Sequence, residues 1–337
     1  MNATIKSNLL QLIAVVLLNT ELMGQETKNI TLHVVDEGGS PVEKARAVIS
    51  FIGARVDDEH IGPTDREGRF SAQGKPLVGV YLAASKDGYY PARFDTSRSD
   101  RLPPDKTIDK IFVLPRVIKP IALLAKRAGG WGAELTIPTQ NEWIGYDFEV
   151  GDWIEPHGKG KTTDLRFRFE TSFNGWKYSD KDMANSRRIN ASLTEEGIRL
   201  NYGKWDGELD ISFPGEREGL YEVTDDFLTY SRMKLPHEAP LDGYQSNWRY
   251  STNTYSLTTL RDDVGFFLRI RVRRDKDGRI ISANYAKVIG DFHFSPANGA
   301  MWFLYYFNPV PNDRNLEFDP KRNLFPADFP GANVSDP

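Results

Sequence analysis

Residues Gly265–Tyr285 read GFFLRIRVRRDKDGRIISANY. From Leu268 the apolar and charged side chains alternate, which is the period of a strand with one face in the core. The run meets Asp275-Lys276-Asp277-Gly278 and resumes as Arg279-Ile280-Ile281. An Asp-Gly pair between two such runs predicts a β-hairpin, because glycine takes the positive φ that a tight turn requires. Asp277 and Gly278 are therefore read as structural turn residues. The alternation recurs at Asp164–Glu170 and Glu208–Phe213, and the continuous apolar run Met301–Phe307 reads as a buried strand. Residues 131–337 are thus expected to form an antiparallel β-sandwich or barrel. The tail after Asn308, rich in Pro, Asn and Asp, is expected to wrap its surface without regular structure.

The N-terminal third carries shorter strand signals at close spacing. These are Asn29–Asp36, Ala47–Ile52, Leu77–Ala84 and Ile108–Leu114. Between them lies Pro63–Phe70, PTDREGRF. Its two carboxylates and two guanidinium groups could suggest a catalytic pair or a metal loop. A calcium loop needs more oxygen ligands at spaced positions than this segment holds, so Asp65 and Gly68 are read as turn residues, Asp65 accepting backbone N–H groups. Residues 116–130 read as a connector, with Pro120–Arg127 either a short helix or a strand.

Taken together, Val34–Val42, Thr64–Phe70 and Lys86–Pro91 resemble the carboxypeptidase-regulatory-like family over residues 29–115. The resemblance implies a prealbumin-like seven-strand sandwich that accompanies other domains on secreted or surface proteins and is itself non-catalytic. Zinc carboxypeptidases that carry such a module use His-x-x-Glu, and no histidine here has Glu three residues on. The Tyr-Arg-Gly-Ser signature of the transthyretin-like hydrolases is also missing.

Composition narrows the function classes. The 337 residues hold 43 basic and 47 acidic side chains, a net charge of −4 that gives no concentrated basic face for nucleic acid. The absence of cysteine removes thiol nucleophiles, disulfides and Cys-ligated zinc. Residues 1–24 combine Lys6 with the apolar run Leu9–Leu18 and read as a signal peptide. The mature protein is expected to be secreted, periplasmic or on the cell surface, with no membrane span after signal removal.

No residue set announces catalysis, a metal or a cofactor. Gly160-Lys161-Thr162 has the end of a phosphate loop, but Glu155 stands where that loop needs glycine. The five histidines are scattered, and there is no Gly-x-Ser-x-Gly elbow. Asp206, Glu208 and Asp210 share one face of a strand, either a solvated face or an acid–base pair for glycoside hydrolysis. Asp262-Asp263 and Asp275/Asp277 are turn carboxylates before they are calcium ligands.

The seven tryptophans all lie from Trp131 onward. Trp302 sits in an apolar run and is expected in the core. Trp143, Trp153, Trp176, Trp205 and Trp248 sit beside polar residues and are the candidate ligand-binding residues, since indole faces stack on sugar rings. The expectation is an exported, non-catalytic all-β binding protein for extracellular carbohydrate or envelope polymer. The alternatives are a secreted glycan-active hydrolase or lyase using Asp206 and Glu208, and a structural envelope protein with a protein partner.

Overall fold

The computed structural model describes residues 26–337 apart from 54, 97–105, 130–132, 190, 191, 193, 255–260 and 262. Residues 1–24, read in the sequence as a signal peptide, lie outside the described residues, as do Trp131 and Asp262. The chain is all-β and divides into two compact units. One runs to Val117 and includes Tyr230–Arg232; the other holds Ile118–Thr229 and Met233–Pro337.

The first unit is a seven-strand sandwich. Strands β1 (Lys28–Val35), β4 (Arg69–Gly74) and β7 (Thr107–Val113) form one sheet, in the order β4-β1-β7. Strands β2 (Arg46–Ile52), β3 (Asp58–Pro63), β5 (Gly79–Ser85) and β6 (Ala92–Asp95) form the other, in the order β3-β2-β5-β6. The alternation seen in β1 does what the sequence predicts: Ile30, Leu32 and Val34 are fully buried and meet Ile49, Phe51, Leu82 and Phe112 between the sheets.

The second unit stacks two five-stranded antiparallel sheets. Strands β9 (Ile144–Asp147), β10 (Asp152–Trp153), β11 (Leu165–Trp176), β12 (Gly203–Ser212) and β14 (Asn247–Asn253) run in the order β10-β9-β11-β12-β14. Strands β8 (Leu124–Ala128), β13 (Gly219–Val223), β15 (Gly265–Arg274), β16 (Ile280–Phe294) and β17 (Met301–Asn308) run in the order β13-β15-β16-β17-β8. The ambiguous Pro120–Arg127 segment thus resolves as edge strand β8. Tyr146, Phe167, Phe266, Phe292, Phe303 and Tyr305 fill the space between the sheets with ring-to-ring contacts. The opening hairpin is β15–β16, closed at Gly278 with φ of 80°.

Two sequence expectations need correction. Trp302 is 41% exposed, since its neighbours Met301 and Phe303 take the core-facing positions of β17 and its own ring stacks on His293 at 4.7 Å. The tail is irregular as expected, but it is more than a surface wrap. Leu316 and Phe318 are fully buried and, with Val334, cover the outer face of the second sheet over Phe267, Tyr285 and Tyr306.

Between β11 and β12 the chain forms helices α1 (Asp180–Ile189) and α2 (Glu195–Tyr202). Thr194 caps α2 by accepting the Gly197 N–H at 3.1 Å, and Glu195 and Glu196 stand in its first turn, where negative charge is favourable. Among the described residues no helix is long and apolar enough to cross a membrane.

Candidate functional site

Strands β11 and β12 pair from Arg166↔Ser212 to Phe173↔Trp205, then slip, so that Trp176 faces Gly203. Core-facing positions at one end carry Phe167, Phe169, Leu209 and Ile211. The same face at the other end carries Phe173 and Trp205, which belong to none of the three apolar cores. Phe173 meets Trp176 at 5.3 Å and Trp205 at 5.1 Å, both edge to face. Tyr178 and Tyr202 form a further edge contact at 6.0 Å.

Helix α2 closes over this aromatic group. The Trp205 Nε1–H donates to the Arg199 carbonyl at 3.2 Å, and the Arg199 guanidinium lies 4.3 Å from the Phe173 ring centre and 5.4 Å from that of Trp205. Gly203 makes the closure possible. A Cβ there would stand 2.4 Å from the Arg199 carbonyl oxygen, 2.7 Å from Trp205 Nε1 and 2.8 Å from the Phe173 ring. Between sheet and helix is an open cleft of about 750 Å³, lined by Phe173, Trp176, Trp205, Arg199, Glu196 and Asn298 among others. That volume suits a small organic ligand or a few residues of a polymer.

The five candidate tryptophans fall into three places. Trp176 and Trp205, both half-buried, share this cleft. Trp143 and Trp248 line a smaller hollow of about 320 Å³ with Arg168, Asp210 and Arg249. There the guanidinium groups of Arg168 and Arg166 lie over the Trp143 ring, at 5.1 and 5.7 Å, and Trp248 packs edge-on against core Phe266 at 5.5 Å. Trp153 is 5% exposed and makes edge contacts with Tyr146 and Phe167. Its ring belongs to the packing between the sheets and presents no face to a ligand.

The acidic row of β12 sits on the opposite face of the sheet from the cleft. Asp206 and Glu208 are exposed, and Asp210 is held between Arg168 at 2.6 Å and Arg249 at 2.5 Å. Burial raises the Asp210 carboxyl, but the guanidinium hydrogen bonds of Arg249 and Arg168 outweigh it and the net shift is downward. Glu208 faces Glu170 across the strands, each beside an arginine, Arg249 at 3.6 Å and Arg168 at 3.5 Å. These carboxylates neutralise a ladder of guanidinium groups on an open face; the carboxylates of the cleft are Glu195 and Glu196.

Elsewhere the charged motifs serve the backbone. Asp65 Oδ1 accepts from Glu67 N at 3.0 Å and Arg69 N at 2.7 Å, and Gly68 turns the chain with φ of 71°. In the opening hairpin the carboxylate that accepts is Asp275, from the amides of Asp277 and Arg279, both at 2.9 Å. The amides a phosphate loop would offer are already engaged: Lys161 and Thr162 donate to Asp147, and Lys159 to Asp152. Among the described residues no group of three metal-ligating side chains converges.

Sequence reasoning reached Trp176 and Trp205 but passed over Phe173, Glu196 and Arg199. Thr194-Glu195-Glu196-Gly197 is a readable helix start, with a hydroxyl followed by acidic residues. It would have placed Arg199 on a helix joining the two tryptophan-bearing strands.

No protein-family model matches the chain, and no curated protein does. Among solved structures, the chain is similar to 3-chlorocatechol 1,2-dioxygenase from Rhodococcus opacus at 14% identity and a TM-score of 0.24, over 28% of this chain and 61% of that one. It is similar to a streptococcal ancillary pilin at 12% identity and 0.21, over 47% and 57% of the two chains. A putative carbohydrate binding protein from Bacteroides uniformis aligns at 8% identity and 0.19, over 86% and 100%. The chain thus spans 61% and 57% of the length of the first two. At TM-scores this low the likenesses carry no argument about fold or function.

Proposed function

We propose that this is an exported binding protein whose second unit holds carbohydrate, a sugar segment of an extracellular or envelope polymer, in the cleft between α2 and the ends of β11 and β12. One observation carries the reading. Phe173, Trp176 and Trp205 are gathered outside every apolar core and line a cleft of about 750 Å³. Large aromatic side chains left partly exposed at one place mark a binding surface. Sugars suit it, because their C–H faces stack on aromatic rings while their hydroxyls need polar neighbours, here Glu196, Asn298 and Gln140. Export rests on the charge and apolar run of residues 1–24. The first unit serves as an accessory sandwich, in keeping with its carboxypeptidase-regulatory-like motifs.

The test is retention of the mature chain on immobilised polysaccharides, wild type against Trp205→Ala, Trp176→Ala and Trp143→Ala. Each of the first two is expected to weaken binding by roughly five- to tenfold, since one stacked ring contributes on the order of 1 kcal/mol or somewhat more. Trp143→Ala is expected to leave binding unchanged. Failure to bind any polysaccharide, or loss with Trp143→Ala alone, contradicts the assignment.

A further inference from the structure

Arg199 is held at two points. Its carbonyl accepts from the Trp205 indole and from the Gly203 amide, and its guanidinium lies over the Phe173 and Trp205 rings at 4.3 and 5.4 Å. Its own helix supplies two carboxylates within reach in sequence, Glu195 at i−4 and Glu196 at i−3, a spacing at which helical ion pairs form. Neither is taken. Glu195 pairs instead with Arg187 at 3.3 Å, and among the described residues Arg199 makes no ion pair or side-chain hydrogen bond. The result is an exposed, unpaired guanidinium laid on an aromatic surface within a ligand-sized cleft. Among the described residues no protein acceptor takes its N–H groups, so the guanidinium keeps those donors for a ligand while its charge lies over the rings. The parallel N–H donors of a guanidinium match an oxyanion bound by two hydrogen bonds, and the oxyanion that a sugar ring itself carries is a carboxylate.

We propose that the sugar taken by this cleft is acidic, a uronic-acid residue whose carboxylate is bound at the edge of Arg199. The proposal rests on the carbohydrate reading and narrows it. Glu195 and Glu196 also line the cleft, so there is no broad positive field. Recognition is therefore of a single carboxylate by geometry, and densely sulfated polymers, which need a basic surface, are poor ligands.

The experiment is calorimetric titration of the full mature chain with short oligomers of galacturonate, glucuronate and mannuronate, each beside its methyl ester, and with neutral oligosaccharides. At least one free acid is expected to bind roughly tenfold or more tightly than its ester, the usual advantage of a bidentate charge-assisted pair. Arg199→Gln is expected to abolish that preference, and Arg199→Lys to recover only a minor part of it, because an ammonium lacks the planar fork. Equal affinity for acid and ester, or binding of neutral oligosaccharides alone, overturns the uronate assignment and leaves the carbohydrate reading standing. An acid preference that survives in Arg199→Gln overturns the role given to Arg199. No binding of any saccharide removes both.

Discussion

At the residue scale, one arrangement recurs where this chain reverses. Asp36, Asp65 and Asp275 each accept the backbone N–H groups two and four residues on, with a positive-φ glycine between at Gly39, Gly68 and Gly278. The Asp65–Gly68 turn was legible in the sequence because its cause is local; in the hairpin the sequence pointed to Asp277, and the carboxylate that accepts is Asp275. What each glycine approaches was not legible. A Cβ at Gly68 would stand 2.3 Å from the Val34 carbonyl oxygen, whereas one at Gly39 would meet nothing within 4 Å. Both substitutions to Ala incur the left-handed backbone cost of about 1–2 kcal/mol. Gly68→Ala adds a steric clash with β1, so its denaturation midpoint is expected to fall clearly further than that of Gly39→Ala. The tryptophans separate in the same way. Trp153→Ala is expected to destabilise the second unit by about 3–5 kcal/mol, the cost of emptying a buried aromatic site. Trp205→Ala is expected to lose binding with a much smaller change in urea midpoint.

At the element scale, the strands that were easy to read are those with one face in a core. Leu165–Glu170 alternates in sequence because it alternates between core and the opposite face in the fold, whereas Gly265–Ile270 is buried on both faces, Phe266, Leu268 and Ile270 in one core and Phe267 in another, so alternation there is readable only from Leu268. The half of β11 beyond Phe169 escapes this rule. Its side chains Phe173 and Trp176 leave the core and meet the helices, Phe173 under Arg199 of α2 and Trp176 under Arg187 of α1, tertiary contacts that periodicity does not encode. The helices were missed for a related reason: each buries one identified side chain, Met183 in α1 and Ile198 in α2, so neither shows an apolar stripe. Burial also sets a pH dependence in β16. Lys287 is fully buried, with its amine 4.6 Å from the Tyr306 ring centre. Burial lowers it from 10.5 to about 7, against the opposing pull of Glu317. Above pH 7 the unfolded chain holds a proton that the native lysine has released, so stability rises with pH, by about 1.4 kcal/mol per unit for one proton. Lys126, lowered by burial to about 8, adds to the rise from pH 8. Lys287→Met is expected to be more stable than wild type at pH 6 and to show a shallower rise in urea midpoint between pH 7 and 9. An unchanged slope would contradict a neutral native amine.

At the scale of the whole molecule, the chain is two β-sandwiches; strand spacing and turn chemistry indicated all-β units but left the second as sandwich or barrel, and the seven strands of the first were what the family resemblance implied. The site did not follow, because it is assembled from two strands and a helix that meet only after folding. Its aromatic group was visible as composition before it was visible as a place. The central claim is that ligand is held at this place and at no other face of the chain. Hydrogen–deuterium exchange of residues 25–337, with and without a polysaccharide they retain, tests this directly. The expected result is slowed exchange confined to residues 171–176 and 195–205. A footprint on the strands of the first unit, or on the open sheet face around Trp143 and Arg249 with the cleft unchanged, would contradict it.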